Sequence, residues 1–146
     1  MVDPSSERAG VPAGRAEPTP GSSAKTAVTL YPSGVRLSFA ELDSAANKLA
    51  RFLRGHGVRP GDTVAILMEN NRHIHAAAWA ARRIGVYYTL VNTHLSVTEV
   101  AYIIDDCEAT AVLASRGQRG ICQELDRELP RGLPALALFA DGELDG

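Results

Sequence analysis

A surplus of positive charge is missing from this sequence: 15 lysine and arginine residues stand against 17 acidic ones, a net charge of -2 over 146 residues. Nothing is left over to neutralise a phosphate backbone, which sets nucleic acid aside as a partner. Long apolar runs are missing too. The longest, such as Val86 to Val91, fall far short of the roughly 20 residues that a transmembrane helix requires. The two cysteines, Cys107 and Cys122, are too few for a disulfide framework and too far apart for a C-x-x-C motif, which points to a reducing, cytoplasmic setting. The opening M-V-D-P-S-S-E-R has neither the cationic start nor the apolar core of a secretory signal, and Glu7 and Glu17 argue against a transit peptide. Lysine is nearly absent, with only Lys25 and Lys48 against 13 arginines. Together with abundant alanine, this reflects GC-rich coding and carries no chemistry.

What is present is ordinary globular composition, 45% hydrophobic and 22% charged, at the length of one domain. Residues 1–25 are Pro, Gly, Ser, Ala and charge without apolar periodicity, which predicts a disordered leader. The rest, 26–146, reads as ordered chain. T-A-V-T-L and V-R-L-S-F flank Y-P-S-G and predict a hairpin. Ser38 and Glu41 stand at capping-box spacing, opening a helix whose Leu42, Ala45, Ala46, Leu49 and Leu53 share a face and which Gly55 and Gly57 can stop. T-V-A-I-L-M is a short apolar run suited to a strand buried on both faces. A second helix follows Asn71 and runs to Gly85, with Ile74, Ala77, Ala78, Ala81 and Ile84 as its packing face. Val86 to Val91 is the next strand, Ser96 and Glu99 repeat the capping box, and the third helix carries Val100, Ile103, Ile104 and Cys107. A strand from Thr110, a helix from about Gln118 to Leu129 and a strand from Ala135 complete the pass. The alternation predicts right-handed crossovers and an α/β fold: an open, mostly parallel Rossmann-like sheet with flanking helices. Because D-G-E-L-D-G follows directly on an apolar strand, we expect an uncovered sheet face or edge, or further sequence that normally covers it.

The search for chemistry yields little. No G-x-x-x-x-G-K-[ST] loop surrounds either lysine, and Gly55, Gly57 and Gly61 follow a helix and miss the G-x-G-x-x-G spacing. His73 and His75, two apart on a helix, point about 200° from one another and cannot share a metal ion. Asn92, Thr93 and His94 lie past a strand's carboxyl end, where open α/β sheets place ligands, and are the best local candidates for a binding contact. The competing and preferred reading makes them a polar turn leading into the Ser96 cap. Asp105 and Asp106 read as a solvated acidic turn. Cys107, Trp79, Tyr87 and Tyr88 read as core rather than as pocket residues. On the residues alone, no catalytic, cofactor-binding or metal site emerges.

Two stretches carry a resemblance. L-S-F-A-E-L, Leu37 to Leu42, is similar to the early L-[TS]-Y-x-E-L element of the adenylate-forming acyl-CoA synthetases (AMP-dependent synthetases and ligases), with Phe39 in place of the usual tyrosine. I-G-V-Y-Y-T-L-V-N, Ile84 to Asn92, resembles their A-G-x-x-Y-x-P-x-N element, with Ile84 for a small residue and Thr89 where proline is common. The similarity runs from about Thr26 to Ala140 and implies an incomplete amino-terminal portion of such an enzyme. In that family a carboxylic acid, typically a fatty acid, attacks the α-phosphate of Mg-ATP, and coenzyme A then displaces AMP. The loop ending in P-K-G, the Y-G-x-T-E stretch, the T-G-D aspartate, the hinge and the catalytic lysine all lie downstream of the portion matched here. The resemblance therefore assigns no catalytic residue to a numbered position. It implies a truncated or split fatty-acid–CoA ligase, inactive alone, needing ATP, Mg and CoA only in its full-length form, with a complementary fragment or a full-length synthetase as partner. The alternatives are a non-catalytic module docking through an uncovered sheet edge, and a small flavodoxin-type nucleotide-binding domain.

Overall fold

The computed structural model describes residues 23–139 and 144–145. The leader expected at 1–25 falls almost entirely outside them. Ser23 and Lys25 are tied in, their carbonyls accepting the N–H groups of Ala40 and Phe39 at 2.9 and 3.0 Å.

The chain opens with an antiparallel hairpin, β1 (Thr26–Thr29) and β2 (Arg36–Ser38), as the Pro-Ser-Gly turn predicts. Helix α1 (Phe39–Gly55) starts at the expected capping box: the Ser38 N–H donates to Glu41 Oε2 at 2.8 Å and the Glu41 N–H donates to Ser38 Oγ at 3.2 Å. Then come β3 (Thr63–Leu67), α2 (Arg72–Arg83), β4 (Tyr87–Leu90), α3 (Val97–Asp106) and β5 (Ala109–Ser115). A 3-10 turn (Arg116–Gln118) leads into α4 (Arg119–Glu128), and β6 (Ala135–Phe139) and β7 (Leu144–Asp145) close the sheet. Helix α3 has the second expected box, with the Ser96 N–H donating to Glu99 Oε2 at 2.8 Å. Both box carboxyls sit below the ordinary range, Glu41 through the backbone and then the hydroxyl of Ser38, Glu99 through the hydroxyl and then the backbone of Ser96.

The helix ends are equally specific. At α1 the N–H groups of Gly57 and Val58 donate to Arg54 and Leu53 carbonyls, and at α2 those of Gly85 and Val86 donate to Arg82 and Ala81. This paired closure needs a left-handed residue just past the helix, supplied by Gly57 at φ +84° and Gly85 at φ +72°. At α3 the same position falls to Glu108, at φ +48°.

The large sheet has the order β4-β3-β5-β6-β7. β3, β4, β5 and β6 are parallel, and β7 adds an antiparallel strand that the sequence pattern did not anticipate. α1 and α2 cover one face, packing Leu49, Leu53, Ala77 and Ala81 onto Val64, Ile66 and Leu113. α3 and α4 cover the other, packing Val100, Ile104 and Leu125 onto Ala65, Leu67 and Val112. Three core expectations need correction. Tyr87, Tyr88 and Trp79 are 71%, 39% and 37% exposed, because β4 is an edge strand and Trp79 points away from the sheet. On α2 the expected Ile74, Ala77, Ala81 and Ile84 do pack on the core, but Ala78 is only half-buried while Ala76 and Ala80 are buried as well, since this helix packs against both the sheet and α1. Cys107 caps α3 half-buried instead of filling its apolar face. The edge expected to lie bare beyond the last apolar strand is instead paired, β6 with β7, and β4 is an edge strand at the opposite side of the sheet.

Candidate functional site

Because β4 lies on one side of β3 while β5 and β6 lie on the other, the strand order reverses between β3 and β5. In open α/β sheets the crevice outside the carboxyl ends at such a reversal is where ligands bind, against the amino end of the following helix. Here that crevice is framed by Glu69, just past β3, and by Ser115 to Gln118, which end β5 and enter α4.

Two side chains meet across this crevice. Gln118, 9% exposed, donates from Nε2 to Glu69 Oε1 at 2.6 Å. The carboxylate also lies against the backbone of Gly117, where a Cβ would stand 3.0 Å from Oε1. Burial pushes the Glu69 carboxyl up, but its contacts with Ser115, Gln118 and its own backbone N–H outweigh that, so it sits below the ordinary carboxylate range. Ser115, 4% exposed, contributes by lying beside the carboxylate; its Oγ is buried without a well-formed hydrogen bond of its own. Neither the 3-10 turn nor α4 has a side-chain cap or an acidic residue in its first turn. Glu69 therefore supplies the negative charge that a helix amino end attracts.

Asn92, Thr93 and His94 lie at the carboxyl end of the edge strand instead. The His94 N–H donates to Asn92 Oδ1 at 2.9 Å and the Leu95 N–H donates to the Asn92 carbonyl at 3.4 Å, closing a turn that delivers the chain to Ser96. This is the polar-turn arrangement, and no hydrogen bond among the described residues joins it to Glu69. Asn71 uses its side chain to cap α2, accepting from the His73 and Ile74 N–H groups. Asp105 and Asp106 are exposed, as expected. Burial pushes the Cys122 thiol up to about 11, far from a nucleophile's range. Among the described residues, no three His, Cys, Asp or Glu side chains stand together as a metal site.

Sequence reasoning missed Glu69, Ser115 and Gln118 because the three come from segments far apart in the chain. The one local signal was a charged residue directly after a wholly apolar strand. Chemically the arrangement holds a carboxylate ionised and buttressed. It offers no lysine, and its carboxylate stands where a phosphate would need positive charge.

Comparison with known proteins finds similarity to part of larger enzymes. The AMP-binding enzyme family matches residues 16–142. A stretch of 79 residues is 32% identical to the long-chain-fatty-acid–CoA ligase FadD13 of Mycobacterium tuberculosis, covering 54% of this chain and 16% of the relative. A stretch of 70 residues is 40% identical to the 2-succinylbenzoate–CoA ligase of Bacillus subtilis, covering 48% of this chain and 14% of that protein. Among solved structures, the anthranilate–CoA ligase AuaEII in complex with anthranoyl-AMP superposes with a TM-score of 0.74 at 24% identity, over 82% of this chain and 23% of that one. The chain thus aligns with less than a quarter of the length of each of these relatives.

Proposed function

The chain belongs to the AMP-binding enzyme family, and from that premise we propose that it forms the first sheet of an acid–CoA ligase and does not activate an acid by itself. The reaction would be that of the ligases it resembles: a carboxylate and Mg-ATP give an acyl-adenylate and pyrophosphate, and CoA then takes the acyl group.

One observation carries this reading. The crevice at the strand reversal, the place where this kind of sheet could receive a phosphate, is bordered by the chain's own Glu69, an exposed carboxylate bonded to Gln118. Adenylation requires preorganised positive charge where the α-phosphate develops negative charge. A carboxylate at that point opposes it. Lys48 is exposed on α1 and Lys25 precedes β1, so neither lysine stands at a strand carboxyl end. The sheet then acts as framework, and the groups that handle ATP, Mg and CoA lie in other sequence, whether joined to this one or supplied by a complementary synthetase chain.

The test is direct. Incubated with ATP, Mg, CoA and either a long-chain fatty acid or an aromatic acid, the 146-residue chain should form no acyl-CoA and release no pyrophosphate above a protein-free control. Turnover by this chain alone would overturn the proposal.

A further inference from the structure

The small net charge conceals a strong polarity between the two helical layers. In the α1/α2 layer the acids are already engaged. Asp43 forms an ion pair with Arg83, which also reaches Asn47, and Glu41 is committed to its capping box. Lys48, Arg51, Arg54, Arg72 and Arg82 are exposed on this layer. Except for the attraction between Arg72 and Glu41, they have no ionic or hydrogen-bond partner among the described residues. The opposite layer is acidic: α3 carries Asp105 and Asp106 beside the capping-box Glu99, with no basic residue, and α4 has three acids against two arginines.

Aromatic side chains sit on the basic side. Trp79 and Phe39 are each 37% exposed, with ring centroids 6.4 Å apart and planes tilted by 45°. Along α2, Arg72, His75, Trp79 and Arg82 recur at three and four, forming one outward stripe opposite the alanines that face the core.

We propose that the α1/α2 layer is a docking face for an anionic lipid surface. Unpaired cations spread over two helices, without a fork or nest aimed at a single phosphate, match a diffuse plane of negative headgroups. A partly exposed tryptophan flanked by arginines is the side-chain composition of a membrane interface. Charge polarity also selects a plane over a flexible polyanion, because an anionic plane meets only the basic layer, whereas a wrapping nucleic acid would meet the acidic one. No helix among the described residues is long and apolar enough to cross a bilayer, so the docking is peripheral. This inference does not depend on the ligase reading.

Trp79 is the single tryptophan in the chain, so its fluorescence reports on this face without labelling. The full chain is mixed with vesicles of phosphatidylcholine alone, or with a third of the lipid replaced by phosphatidylglycerol. The expected result is at least tenfold greater co-sedimentation with the anionic vesicles, a blue shift of Trp79 emission, and loss of both in half-molar salt, which shortens the reach of surface charge. Arg72→Glu with Arg82→Glu on α2, and separately Lys48→Glu with Arg51→Glu on α1, should each reduce binding about tenfold, while Glu124→Lys on the acidic layer should not reduce it. Equal partition onto phosphatidylcholine, no vesicle binding at all, charge-reversed variants that bind like the parent, or tighter binding to a single-stranded oligonucleotide than to vesicles would each overturn the proposal.

Discussion

At Gly117 a single methyl group measures how closely Glu69 is held. An added Cβ would stand 3.0 Å from Glu69 Oε1, so Gly117→Ala must displace the carboxylate and loosen its bond with Gln118. The expected loss is about 0.5–1.5 kcal/mol, the worth of one such hydrogen bond, read from urea unfolding. In a Glu69→Ala background the clash is gone, and Gly117→Ala should then be neutral or stabilising by about 0.4–1 kcal/mol through the less flexible unfolded chain. Equal effects in both backgrounds would exclude the contact as the cause. The same carboxylate has a pH signature. Its folded pKa lies below the ordinary 4.5, so ionised Glu69 contributes stability that is fully present above about pH 4.5 and is lost as the pH falls through the lower folded value. Glu69→Gln removes that contribution, and stability measured from about pH 6 down to about pH 3 should fall less steeply than in the parent. Of this cluster the linear sequence reveals only Glu69 as a charge after an apolar strand; Ser115 and Gln118 become its neighbours only once β5 pairs with β3.

The helices show how local signals and tertiary demands divide the work. Both capping boxes were readable, because S-x-x-E places the groups that satisfy one another within four residues. The stops at Gly57 and Gly85 were readable for the same reason, since glycine adopts positive φ without steric cost. Glu108 was not, because nothing in its chemistry marks a left-handed residue. Its φ of +48° carries strain that glycine would relieve. Glu108→Gly should therefore stabilise the chain by about 0.5–1 kcal/mol, the strain removed less the entropy glycine adds, seen as a higher urea midpoint at unchanged slope. A lower midpoint would mean that the Glu108 side chain makes a favourable contact outweighing the strain. The swap of Ala78 for Ala76 and Ala80 on the packing face of α2 belongs to this scale as well. Alanine is equally at home on several faces of a helix, so a run of alanines leaves the rotation open until α1 and the sheet are both in place.

For the molecule as a whole, the exposed edge is the chief consequence. β4 offers one unpaired side, with Tyr87 and Leu90 at 71% and 59% exposure, a surface prone to pairing with other chains. Tyr87→Lys with Leu90→Lys should lower self-association, followed by light scattering at increasing concentration, while changing stability by less than about 0.5 kcal/mol. A large loss of stability would show that these side chains are part of the packed structure after all. The same edge is what a non-catalytic docking role would use, and a double variant that no longer binds a synthetase partner would separate that role from simple aggregation.

The elements, their alternation and the parallel class of the sheet lie in the linear order of residues, because caps, turns and apolar periods act over a few positions at a time; the kinship with adenylate-forming enzymes lies there too, in two short stretches that resemble theirs. Which strand became the edge, which further alanines of α2 were buried, and the meeting of Glu69 with Gly117 and Gln118 were decided only by tertiary structure. Each depends on strand order, and strand order follows from how helices of compatible shape pack across the sheet rather than from any short run of sequence.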